Sequence, residues 1–127
     1  MSGELESAAN DFVAAIDSLD LAGIMQLIAQ DVQNVDEVSR RWLRGNDEVR
    51  GYLAGLVAAV SVVHTELREA QERVWGDTGL LTCWIEQNYT MDGNPQKVSA
   101  PTTLVFRREG GGWKLALFHS IPLPEQP

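Results

Sequence analysis

The chain is predicted to be an α+β protein: three N-terminal helices packed on the concave face of a strongly curved antiparallel sheet, a cone-shaped α+β barrel. Two observations predict it. Before about residue 60, apolar residues recur at helical spacing; after it, long alternating stretches are separated by glycine-rich turns and no helical period remains. Helices first and an antiparallel meander afterwards is the α+β pattern. The 127 residues read as one domain, with an ordered core over about 4–121 and a tail at 122–127.

In order, Phe12, Val13, Ile16 and Leu19 mark a first helix, and Ile24, Leu27 and Ile28 a second, with Asp20 as its N-cap. The short β-branched piece at 32–35 reads as an edge strand that delivers Asp36. The connection EVSRRWLRG carries Trp42, too large to leave in water without a reason. Asn46 is the expected N-cap of a third helix, with Asp47 and Glu48 in its first turn, favourable to the helix dipole. Val49, Tyr52, Leu53, Leu56 and Val57 form its apolar stripe.

Four strands follow, over residues 61–75, 80–91, 98–108 and 113–121, joined by turns at 76–79, 92–95 and 110–112. Alternation assigns their faces. In the last strand Lys114, Ala116, Phe118 and Ser120 share a parity, and the lysine marks it as outer; Trp113, Leu115, Leu117, His119 and Ile121 then face inward. Leu81, Cys83, Ile85, Gln87, Tyr89 and Met91 form the more apolar face of their strand and are placed inward, with Trp84 outward. Pro101, Thr103 and Val105 are expected inward, Leu104 and Phe106 outward. The charge-rich strand 61–75 has a face that is wet or pairs with a subunit, and its parity is not assigned.

Charge and composition narrow the function. A net charge of −8 argues against a nucleic-acid partner, which needs clustered cations. Arg40, Arg41, Arg44, Arg107 and Arg108 read as solvated surface. No apolar run approaches a membrane span and the N-terminus lacks a signal core, so a cytoplasmic protein is expected. The single Cys83 excludes an internal disulfide, and His64 and His119 do not sit in metal-ligand spacing; no metal or cofactor is expected.

Several runs carry a family resemblance. They are FVAAI at 12–16, DLAGI at 20–24, an acid five residues after Asp31, the SAP of 99–101, the FRR strand end at 106–108, and WKLALFHS at 113–120. Together they resemble the ketosteroid isomerases and the wider SnoaL-like superfamily, and the W-x-Φ-x-Φ-x-H-x-S ending is similar to its uncharacterised SnoaL-like members. The resemblance implies a deep pocket and makes Asp36 the proton-abstracting base. It also implies that the isomerase tyrosine corresponds to Phe12 and the second carbonyl-polarising donor to Thr103. Losing one such donor typically costs about a hundred- to a thousand-fold in rate, so the steroid isomerase mechanism itself is not expected. Gln87, Tyr89 or His119 would have to donate from other directions.

The expected pocket is lined by Phe12, Trp42, Tyr52, Ile85, Tyr89, Val105 and Leu117, with Asp36, Gln87, Thr103 and His119 as its polar groups, the usual form of a small-molecule site. Asp36 is the expected base and His119 the expected acid or donor, close enough to titrate together. The same residues, taken one by one, also serve as ordinary core. Two functions stay open: acid–base chemistry (isomerase, cyclase or dehydratase type) on a small hydrophobic carbonyl compound, or a non-catalytic ligand-binding or dimerisation module. A homodimer is expected through an outer apolar patch of Trp84, Leu104, Phe106 and Phe118.

Overall fold

In the computed structural model, which describes residues 3–124, α1 (Glu4–Asp17), α2 (Leu21–Leu27), β1 (Ile28–Asp36), β2 (Leu43–Arg44), α3 (Asn46–Ala59), β3 (Val60–Trp75), β4 (Thr78–Met91), β5 (Asn94–Glu109) and β6 (Gly112–Ser120) follow in order. The six strands form one sheet in the order β2-β1-β6-β5-β4-β3. The sheet is mixed, not purely antiparallel: β1 runs parallel to β6. β1 is therefore an internal strand of nine residues, longer than the short edge strand expected at 32–35, and the edge beside it is the two-residue β2. None of the described helices is long and apolar enough to cross a membrane.

One core joins the helices to the sheet. Leu5, Ala9 and Phe12 of α1, Ile24 of α2, and Val49 and Leu53 of α3 meet Ile28, Val32, Leu81, Cys83, Ile85, Leu104, Phe106 and Leu115. Gly79 lets α1 come this close, since a Cβ there would stand 2.7 Å from Leu5 Cδ1. The helix starts differ in their chemistry. Asp20 caps α2 as expected, accepting from Gly23 N at 3.0 Å. At α3 the N-cap is Gly45 rather than Asn46, because the chain turns there with φ +89°, a conformation open to glycine.

The cap of α1 comes from far along the chain. Gly3 has no side chain to offer, and Glu72 of β3 accepts from the amides of Leu5 (3.3 Å) and Glu6 (3.1 Å). Glu72→Ala should lower stability by about 1 kcal/mol and speed amide hydrogen exchange at Leu5 and Glu6. Glu72→Gln, which keeps an acceptor, should exchange more slowly than the alanine variant. Equal exchange in all three proteins would mean that Glu72 does not cap α1.

The ladders contain four irregularities: one shifts β1 against β6 between Ile28 and Gln33, and three others bear on the faces that β3 and β6 present. β3 carries two, between Ser61 and His64 and between Arg68 and Gln71, with Val62 (φ 52°) and Glu69 (φ 56°) in the left-handed region. The third is in β6, where Val105 pairs with Leu117 but Phe106 pairs with Leu115, leaving Ala116 as an extra residue. Because side chains alternate with period 2, one extra residue reverses every facing beyond it. Leu115 thus faces the helices as expected, while past Ala116 it is Phe118 and Ser120 that face them, and Leu117 and His119 face away.

The facing of β5 is also the reverse of the expected one. Leu104 and Phe106, placed outward from the sequence, are 1% and 2% exposed and belong to the core. Leu104 stands opposite Leu81, and Thr103 opposite Thr82, so Pro101, Thr103 and Val105 lie on the outer face. The expected outer patch of Trp84, Leu104, Phe106 and Phe118 is accordingly not assembled. Of the four, Trp84 alone stands on that face.

Candidate active site

Between the helices and the inner sheet face lies a cavity of about 110 Å³, walled chiefly by Phe12, Val13, Ile16, Ile28, Val32, Val49, Leu53, Leu56, Ile85, Val98, Leu115 and Phe118. Phe12 and Phe118 meet at 5.6 Å between ring centroids, tilted by 47°. Its polar wall consists of Asn34, Asp36, Glu37, Tyr52, Thr65, Gln87 and Ser120.

Asp36 is the last residue of β1, and its carboxylate organises the turn that follows. Asp36 Oδ1 accepts from Val38 N (3.0 Å), Ser39 N (2.8 Å) and the Tyr52 hydroxyl (2.7 Å). In return, Asp36 N donates to Ser39 Oγ at 3.0 Å. This is the turn chemistry for which a short carboxylate side chain is suited. Oδ2 receives a single long contact, from Asn34 Nδ2 at 3.4 Å. One oxygen is committed to structure, and the other keeps most of its acceptor capacity in a residue that lines the cavity.

Glu37 has its own phenol, since Tyr89 donates to its Oε1 at 2.5 Å. At another part of the wall Gln87 Nε2 donates to Thr65 Oγ1 (2.8 Å), and Thr65 donates through Oγ1 (2.7 Å) and its backbone amide (3.0 Å) to Asp17. That chain holds Gln87 to the C-terminal end of α1.

Burial, above all, holds the Tyr52 phenol well above its ordinary value of 10.0, and the neighbouring Asp36 charge adds to it. Tyr89 is raised in the same direction, again first by burial and then by its bond to Glu37. The sign of the consequence follows. Below pH 10 the phenols are neutral in both states and their contribution to stability is complete; above it the unfolded chain releases protons that the folded chain keeps, so stability falls as pH rises. Tyr52→Phe should make this alkaline decline shallower in denaturant unfolding followed across pH 9 to 11, a span of about one unit on either side of the ordinary phenol pKa. An unchanged slope would mean that Tyr52 ionises normally in the fold.

Of the residues expected at the site, Phe12, Asp36, Tyr52, Ile85 and Gln87 line this cavity. Tyr89 borders an adjoining space of about 50 Å³ that shares Ile16, Leu53, Leu56 and Gln87 with it. Thr103, Val105, Leu117 and His119 stand on the opposite face of the sheet. Trp42 does not enter the cavity either: it is 38% exposed and stacks on His119 at 5.9 Å and 28°, with the Arg44 guanidinium 5.6 Å from its ring. The structure therefore does not bring Asp36 and His119 together. In the β1–β6 register it is Ser120 that pairs with Asp36, while His119 pairs with Val35.

Asn34, Glu37, Thr65 and Ser120 are the polar wall residues that the sequence reading missed, Thr65 because the facing of its strand was not assigned. Asn34 was accessible to it, being two residues before Asp36 on the same strand and hence on the same face. Glu37 is adjacent to Asp36. Ser120 was not accessible, because only the extra residue at Ala116 turns it inward.

Solved structures share this architecture. A protein of the NTF2-like family from Streptomyces avermitilis, described as a candidate dehydratase, is 25% identical with a TM-score of 0.87, over 96% of each chain. A candidate aromatic ring hydroxylase from Novosphingobium aromaticivorans is 15% identical with a TM-score of 0.87, over 96% of this chain and 88% of its own. A ketosteroid isomerase-like protein from Erwinia carotovora atroseptica is 17% identical with a TM-score of 0.80, over 96% of this chain and 95% of its own. The fold is thus that of the NTF2-like proteins. Residues 5–124 match the SnoaL-like domain, and the chain belongs to that family. No curated protein gives a significant match.

Proposed function

We propose that the protein binds a small, mostly apolar carbonyl compound and moves a proton on it, with Asp36 Oδ2 as the base. One observation carries this reading: a mostly apolar cavity contains a carboxylate with one oxygen held by three donors and the other nearly free. Fixing Oδ1 orients the group, and orientation is much of what a general base needs. With His119 on the far face, the group placed to donate to a substrate oxygen is Gln87, whose amide keeps a second hydrogen besides the one given to Thr65. The names of the structural neighbours, dehydratase among them, are compatible with proton-transfer chemistry. In this reading the irregularities of β3 and β6 bend the sheet into a cone around the cavity.

The test is deuterium incorporation at the carbon next to the carbonyl of monocyclic ketones such as cyclohexanone, followed by NMR in D₂O. Exchange above the buffer rate is expected, and its absence across a panel of such ketones would overturn the carbonyl reading in favour of a non-catalytic binder.

Self-association through the outer face is a second part of the proposal. Trp84, Pro101, Val105 and Leu117 take the place of the buried Leu104, Phe106 and Phe118 as its apolar contacts. Sedimentation should show a dimer at micromolar protein, weakened by Trp84→Glu.

A further inference from the structure

The polar end of the cavity is unusual in what it offers a ligand. Among the described residues lining it there are two carboxylates and no lysine, arginine or histidine. Three acceptor atoms also meet there. Asp36 Oδ2 has only the long contact from Asn34. Asn34 is 9% exposed, its amide nitrogen is used on Asp36, and no described residue donates to its Oδ1. Ser120 is 7% exposed and bonds Thr102 Oγ1 at 2.8 Å.

The direction of that last bond follows from counting protons. Thr102 has one hydroxyl hydrogen, and the Ala100 carbonyl oxygen lies 3.0 Å from its Oγ1. If that hydrogen goes to Ala100, Ser120 gives its own to Thr102, and Ser120 Oγ presents lone pairs to the cavity. Asp36 and Ser120 are register partners on adjacent strands, and Asn34 is the next residue on the same face of β1. The three acceptors therefore sit side by side.

We infer that this cavity selects an apolar primary amine, its ammonium donating to Asp36 Oδ2, Asn34 Oδ1 and Ser120 Oγ. An ammonium has three donors and no acceptor, which matches such a wall, and its bond to a carboxylate is charge-assisted. A ligand carboxylate would meet Asp36 and Glu37 with no cation to neutralise it. The volume limits the apolar part: at about 110 Å³ the cavity is smaller than the dry cavity of about 150 Å³ that accepts benzene, so a single ring is the upper limit, with the head group toward Glu37 and the 36% exposed Val38. The inference rests on the pocket of the proposed function but not on turnover. An amine on Asp36 Oδ2 would occupy the atom that proton abstraction uses, and so would inhibit it.

Benzylamine, benzyl alcohol and benzoate share one ring and differ in charge, which makes them the probes. Titration of the full chain at neutral pH, read by amide chemical shifts of Asn34, Tyr52 and Ser120, should show benzylamine bound at least about tenfold more tightly than benzyl alcohol, a difference of about 1.4 kcal/mol. Benzoate should leave those amides unmoved. Asp36→Asn keeps an Oδ1 to accept from Val38, Ser39 and Tyr52 while removing the charge, and should bring amine and alcohol to within about threefold. Should that variant not fold, Ser120→Ala, which deletes one acceptor, should weaken benzylamine more than benzyl alcohol. Benzoate binding as well as benzylamine, no benzylamine shifts at these amides, or an amine preference that survives in the folded variant would each overturn the inference. Benzylamine binding without any ketone exchange would sink the carbonyl reading alone.

Discussion

Phe106→Ala should lower the unfolding free energy by about 3–5 kcal/mol, the usual range for emptying a buried aromatic site. Phe106 is among the largest fully buried side chains, at 2% exposure, and it sits in the same core as Leu5, Leu81 and Leu115. The loss has two parts, the transfer of the ring's apolar surface and the void left among neighbours held by α1 and by three strands. Denaturant unfolding measures it directly. The result also discriminates between the two possible facings of β5. Had Phe106 been on the outer face, as its strand first suggests, truncation would change self-association and leave the unfolding of the monomer nearly untouched. A cost under about 1 kcal/mol would therefore reverse the facing described for β5.

Asp36→Asn should reduce proton transfer by about a hundred- to ten-thousand-fold, the usual contribution of a positioned general base. Asparagine preserves the shape and the Oδ1 acceptor of the turn at Val38 and Ser39, so the fold should survive and the loss should appear in the exchange rate rather than in stability. His119→Ala is the matching control. His119 stacks with Trp42 on the other side of the sheet, and its removal should leave the exchange rate within about threefold of the parent. A large loss in the histidine variant together with a small one in the aspartate variant would overturn the assignment of the base.

Local patterns in the chain were enough to locate most of the elements. The apolar period of residues 12–27 and 49–57, the cap at Asp20 and the three glycine turns place helices and hairpins, because these depend on residues a few positions apart, although Ile28, expected in the second helix, opens β1. The facing of β4 was legible for the same reason: Leu81, Cys83 and Ile85 alternate with Thr82, Trp84 and Glu86, and no extra residue interrupts them. In β5 the available signal was passed over. Arg107 shares the parity of Thr103 and Val105, and it marks the outer face by the same reasoning applied to Lys114 in β6.

By itself the sequence determined that this is an α+β protein of the SnoaL-like family and that Asp36 ends a strand on the inner face, since helical period, strand alternation and turn chemistry are written in neighbouring residues. Tertiary structure alone decided that β1 is internal and parallel to β6, that Glu72 caps α1 from 66 and 67 positions away, and that Ser120 rather than His119 stands beside Asp36. The physical reason is that pairing, distant capping and a one-residue bulge are settled by hydrogen bonds between segments remote in the chain. The bulge at Ala116 has no local mark, because alanine needs no special conformation to be passed over by a ladder. That one residue moves the imidazole out of the cavity and turns the expected acid–base pair into a carboxylate held by a phenol.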